Sequence, residues 1–152
     1  MTARLSYPRV APEAFRAMHA LETYVKSTSL EPALLELVKI RASYINGCAY
    51  CIDMHTKDAR AAGETEQRIY AVPVWRETPF FTPRERAALA WAEAVTEIGR
   101  AGVSEELYTE ARKHFEEKEL VELTMAVVTI NGWNRLAVAF RSEVGGYQPS
   151  AR

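Results

Sequence analysis

From Lys118 to about Ser142 the sequence reads as one long helix, apolar over most of its circumference, with Gly132 inside it. A helix without a polar face is buried, either in a core or against another subunit. The rest of the chain is patterned to match. Pro12 to about Lys26 places Phe15, Met18, Leu21 and Tyr24 at helical spacing. A second helix starts at Pro32, a good first-turn residue, and runs through Leu34, Leu35, Leu37, Val38 and Ile40 to Ile45. Asn46-Gly47 stops it, because both residues tolerate a left-handed backbone. A third is expected from about Cys48 to Ala62, closed by Gly63, and a short fourth from Glu64 to Val72. The segment through Pro73, Pro79 and Thr82 is the clear break. Thr82-Pro83-Arg84-Glu85 is a capping box that opens a helix to about Gly99, its buried stripe formed by Ala87, Ala88, Trp91, Ala92 and Val95. Ser104 caps another short helix. The nearest strand candidate, Val72-Pro73-Val74-Trp75, is demoted by its proline. The expectation is one all-α domain over residues 1–152, with about six to seven helices.

Composition excludes several partners. A formal net charge of -1 over 152 residues argues against nucleic acid, which calls for a basic patch. No apolar run approaches the roughly 20 residues needed to span a bilayer. Met1 to Val10 carries Arg4, Pro8 and Arg9 without an apolar stretch, so it does not read as a signal peptide. The chain is expected to be cytoplasmic. There, two cysteines three positions apart read as a redox couple or half a metal site, rather than as part of a secreted disulfide framework.

The chemistry concentrates in Gly47-Cys48-Ala49-Tyr50-Cys51-Ile52-Asp53-Met54-His55. At about 100° per residue, Cys51 lies roughly 60° from Cys48 around the helix, and His55 falls between them. Cys51 and His55 are an i,i+4 pair, the spacing at which helical side chains touch. The helix N-terminus offers partial positive charge to the sulfurs and favours the thiolate, the reactive form of cysteine. A neighbouring imidazole can take the proton, and a carboxylate behind it can orient the ring. Glu36 is the candidate carboxylate, since a charge among Leu34, Leu35, Leu37 and Val38 needs a partner. A solvated ion pair with Lys39 at i+3 is the competing assignment for Glu36.

Glu36, eleven residues, Cys48-Ala49-Tyr50-Cys51, three residues, His55: this arrangement resembles the signature of the AhpD-like alkylhydroperoxidases of the carboxymuconolactone decarboxylase superfamily. Glu36-Leu37-Val38-Lys39-Ile40-Arg41, Ala61-Ala62-Gly63-Glu64, Glu85-Arg86-Ala87-Ala88-Leu89-Ala90-Trp91 and Asn134-Arg135-Leu136-Ala137 extend the likeness to about residues 30–140. The resemblance implies an AhpD-like helical domain that assembles as a trimer or hexamer, without metal or organic cofactor. It implies a thiol-dependent peroxidase with disulfide-reductase capability. Cys51 would be peroxidatic and Cys48 resolving, with Glu36 and His55 as the proton relay. Hydroperoxide is then the substrate, and an external dithiol, lipoyl- or thioredoxin-like, the reductant. Some family members carry histidine where this chain has Tyr50, for which packing is the favoured role.

Three alternatives stay open: zinc held by Cys48, Cys51, His55 and Glu36; acid–base chemistry of the lactone-decarboxylase kind; and a non-catalytic redox-sensing or interaction protein. Other residues are read as structural. His19 is expected to pack on its helix, and His114 to lie on a solvated face from Arg112 to Glu117. Trp75, Trp91, Trp133 and Met125 are assigned to core or subunit packing. Asp53 suits the helix dipole, while Asp58 and Arg60 read as exposed helix residues.

Overall fold

A computed structural model of the chain describes residues 2–149; Met1 and residues 150–152, part of the single-domain expectation, lie outside the described residues. The described residues form nine α-helices and one 3-10 helix, with no strand. Helix α1 is Tyr7–Val10, α2 Pro12–Ser27, α3 Pro32–Ile45, α4 Ala49–Ala61 and α5 Glu66–Ala71. The 3-10 helix Val72–Glu77 follows, then α6 Pro83–Thr96, α7 Ile98–Ala101, α8 Glu105–Arg112 and α9 Glu117–Phe140. The all-α reading of the sequence holds. Seven of these α-helices answer to the seven stretches of the sequence, and the excess over six to seven comes from the single-turn helices α1 and α7.

Local chemistry explains most boundaries. Proline opens α2, α3 and α6 at a position where the missing N–H costs nothing. At the end of α3, only Gly47 takes the left-handed backbone (φ 64°), while Asn46 keeps a right-handed one (φ -82°). Thr82 and Glu85 form the expected capping box, and the Ser104 hydroxyl accepts from the Leu107 N–H to start α8. The sequence is corrected in three places. Pro73 does not sit in an open loop but in the 3-10 turn that continues α5, a geometry its ring permits where a full α-helix is barred. The helix expected to reach Gly99 breaks at Glu97. The last helix ends at Phe140 because Arg141 turns left-handed (φ 55°).

Helix α3 is the hub, packed against α4, α6 and α9. One side supplies Leu34, Leu35 and Val38 to a cluster with Trp91, Phe115, Leu123 and Val127. Its other side gives Leu37 and Ile40 to a second cluster with Ile69, Val72, Trp75 and Leu89. Burying each such side chain is worth about 1.5–3 kcal/mol in transfer terms. Phe115 belongs to this core, beneath the guanidinium of Arg84 at 4.2 Å, so the segment around His114 is not wholly solvated. Helix α9 buries Leu123, Ala126, Val127 and Ile130 but leaves Val121, Val128 and Val138 exposed. The two ends of the helical body meet: the Arg4 N–H donates to the Phe140 carbonyl at 2.9 Å, and the Arg4 guanidinium donates to the Ala139 carbonyl at 2.9 Å.

Candidate redox site at the start of helix α4

The turn that reverses α3 into α4 puts Cys48 at the N-cap of α4, one position before the predicted helix start becomes helical. The Cys51 N–H donates to the Cys48 sulfur at 3.3 Å, so the sulfur occupies the place of a capping oxygen. The two sulfurs are bonded as a disulfide. Beneath them lie Ala42, Ile130 and Ala137, with Tyr50 and Trp133 packed alongside. Both cysteines are buried, but only Cys51 lines the cleft described below.

A polar clamp that the sequence reading did not identify holds this turn. The Asn46 side-chain amide donates to Asn134 Oδ1 at 2.9 Å and to Asn131 Oδ1 at 3.0 Å. Asn134 donates in turn to the Ser43 hydroxyl at 3.0 Å, and Asn131 to the Thr96 hydroxyl at 3.0 Å. Asn134 and Ser43 are almost fully buried, where an unmatched polar group would be costly. The Ser43 carbonyl accepts the Cys48 N–H at 2.9 Å. The first cysteine is thereby tied through α3 to α9.

One turn beyond Cys51, His55 is buried with its Nδ1 2.9 Å from Glu36 Oε2. Burial pushes the Glu36 carboxyl up, but the His55 hydrogen bond and the positive charges of His55 and Lys39 outweigh it and hold its pKa below the ordinary value. An ionised carboxylate only accepts, so His55 Nδ1 carries the proton that is donated to Glu36. Glu36 also faces Lys39, at 3.7 Å through its other oxygen, so the two partners weighed for it are both present. Lys39 itself is buried and bonds Glu22 at 2.8 Å.

The site opens into a cleft of about 440 Å³ bordered by Cys51, His55 and Glu36 and walled by Phe15, Trp133 and Tyr50. Two structural assignments from sequence change here, those of Trp133 and Asp58. Trp133 is cleft wall as well as packing, stacked edge-on with Phe15 at 5.7 Å. His19 meets both rings, at 4.5 and 5.4 Å between centroids, and borders the same cleft. Asp58 is no bystander: it accepts the Tyr147 hydroxyl at 2.7 Å, and burial together with that partner drives the tyrosine pKa well up. Lys57 adds a bond to the Tyr147 carbonyl at 3.0 Å, so the tail after α9 lies across α4. No periodicity could announce that tail. Arg60 remains exposed beside Glu66, and Asp53 bonds Lys57 at 2.9 Å. Trp75 and Trp91 are buried as expected.

Glu36, His55 and Asp58 bring one ligand atom each to within 4.8 Å of one another, and are the described residues that could hold a cation here. The two sulfurs, bonded to each other, offer no thiolate to complete a zinc set in this state.

The chain as a whole is similar to several known proteins. Residues 12–94 match the Carboxymuconolactone decarboxylase family. The chain is 47% identical to the uncharacterized protein YdfG of Bacillus subtilis, covering 91% of this chain and 95% of that one. It superposes with a TM-score of 0.93 on the crystal structure of an Agrobacterium tumefaciens protein of unknown function named for its likeness to AhpD. Identity there is 46%, over 96% of this chain and all of the other. The debrominase Bmp8 superposes with a TM-score of 0.80 over 89% of this chain and 73% of its own, but at 21% identity the likeness is one of fold alone. The chain belongs to the carboxymuconolactone decarboxylase family, as an AhpD-like member.

Proposed function

We propose that the protein is a thiol-dependent peroxidase that reduces hydroperoxides and can pass electrons on by disulfide exchange. The observation that carries this is the placement of Cys51 on the cleft, one turn before a buried histidine whose Nδ1 is fixed by Glu36 at 2.9 Å. In the reduced protein, the neutral His55 ring takes the Cys51 proton, and the imidazolium is held by the Glu36 carboxylate. The thiolate attacks the terminal peroxide oxygen, the O–O bond breaks, and the leaving alkoxide takes the proton from His55. Cys51 becomes a sulfenic acid. Cys48, whose sulfur is within bonding reach, attacks it, forming the disulfide and releasing water. An external dithiol, lipoyl- or thioredoxin-like, restores both thiols by exchange.

The working unit in this reading is one domain in the cytoplasm, with no resident cofactor. It is a homo-oligomer, trimer or hexamer, a reading supported by Val121 and Val128, which lie on one face of α9 and are left exposed within the chain. Bmp8, which shares the fold, is a debrominase, which makes hydroperoxide the first substrate class to test rather than the only one.

The test is a thiol titration of the reduced protein before and after one equivalent of an organic hydroperoxide. Loss of both thiols, reversed by a dithiol, is expected. Cys48→Ser should retain one step and yield a sulfenic acid that a selective reagent traps, whereas Cys51→Ser should consume no peroxide. Thiols that stay inert to hydroperoxide would refute the reading.

A further inference from the structure

Lys39 is 2% exposed, a rare situation for a lysine. Its ammonium stands 2.8 Å from Glu22 Oε1 on α2 and 3.7 Å from Glu36 Oε1 on its own helix. The two oxygens of Glu36 are thus divided, Oε1 toward Lys39 and Oε2 toward His55 Nδ1 at 2.9 Å. Glu22, Lys39, Glu36 and His55 form one continuous series of ionisable groups from α2 to α4. With His55 neutral the series carries one net negative charge, and with His55 protonated it carries none. A proton arriving on the imidazole therefore leaves the buried series balanced, which is where low-dielectric charge is least costly.

We propose that Lys39 is a positioning residue that keeps Glu36 ionised against its burial, and that Glu22 sets how much of the lysine charge Glu36 feels. The role rests on the reading of Glu36 and His55 as a proton relay. Lys39 touches neither sulfur nor peroxide; it acts through the carboxylate. Burial pushes the Glu36 pKa up; the His55 hydrogen bond and charge oppose it first and the Lys39 charge adds to them, holding the pKa below its ordinary value. Glu22 is also held below its ordinary pKa, burial pushing it up and Lys39 outweighing that, so both carboxylates compete for one cation.

The other titratable groups facing the pair set the background. Tyr7 comes from α1, His19 and Lys26 from α2, Cys51, Tyr50 and Asp58 from α4, and Tyr147 from the tail. Lys26 lies 3.9 Å from Glu22 but is 70% exposed, so solvent screens it.

The signs separate this role from a merely structural one. Removing the cation in Lys39→Met should raise the Glu36 midpoint. Removing the competing anion in Glu22→Gln should lower it. Each shift should reach about half a pH unit, roughly threefold in the ionised ratio. Lys39→Arg, which keeps the charge, should return the midpoint toward that of the wild type. The readout is the side-chain carboxyl carbon of Glu36 followed by NMR in the full-length reduced protein as pH is varied. Shifts in the same direction for both variants, or none in a protein whose spectrum remains folded, would overturn the proposal. If Lys39→Met does not fold, the downward shift in Glu22→Gln decides alone, and its absence is refutation. The titration needs no turnover, so opposite shifts in a protein inert to hydroperoxide would sink the peroxidase reading and leave this one standing.

Discussion

Replacing Asn134 with alanine should loosen the turn that carries Cys48 without touching either sulfur. The side chain is 1% exposed, accepts from Asn46 at 2.9 Å and donates to the Ser43 hydroxyl at 3.0 Å. Each hydrogen bond is worth about 1 kcal/mol net, and a buried group left unmatched costs about 1–3 kcal/mol. Asn46 keeps its bond to Asn131, so the heavier loss falls on Ser43, which is fully buried. The sum is about 2–4 kcal/mol. For a chain of this size, with about 2–4 °C per kcal/mol, the midpoint of thermal unfolding should drop by roughly 5–15 °C. Circular dichroism of the oxidised and reduced proteins measures this. The variant should also change the dithiol–disulfide potential, read by equilibration with a glutathione buffer, because the clamp fixes the Cys48 N-cap. A drop below about 1 °C with an unchanged potential would show that water replaces the amide at no cost, and the clamp argument would be wrong.

Two further outcomes follow from the charges. His55→Ala should raise the apparent pKa that governs alkylation of the Cys51 thiol by a neutral reagent; an unchanged pH–rate profile would remove the histidine from the relay. Glu22 and Glu36 have folded pKa values below the ordinary 4.5, so their stabilisation is present above that value and is lost as pH falls through the lower folded values. Acid unfolding should therefore set in below about pH 4.5 and be less steep in Glu22→Gln, as followed by fluorescence against pH.

How much of this was legible in the sequence depended on whether the signal was local. Helix α3 could be bounded to the residue, since Pro32 opens it and Asn46-Gly47 closes it, both through backbone chemistry. The approach of Glu36 to His55 was foreseeable because one turn joins their helices and few partners suit a carboxylate amid Leu34, Leu35 and Leu37. Lys39 was harder. Its i+3 spacing from Glu36 reads as a solvated ion pair, yet it is buried, because α2 brings Glu22 against it from 17 residues away. The Asn134 clamp spans 88 residues to Asn46, and nothing in either segment signals the other. Asp58 looked exposed because the Tyr147 tail that covers it has no periodic pattern. One-turn α1 and the 3-10 run through Pro73 are too short for periodicity to register.

The contact of Arg4 with Phe140 and Ala139 has a consequence for engineering. The chain can be sealed there into a near-ring, since a short linker from the end of α9 to Arg4 would span almost no distance. New termini could then be cut at Gly102–Ser104, between α7 and α8, a segment that contributes no residue to the redox site. Glu36, Lys39, Cys48, Cys51 and His55 would remain in one uninterrupted stretch of the permuted chain. The sealed linker would replace the path of the Tyr147 segment, so such a permutant separates the helical body from its covering tail without deleting any helix.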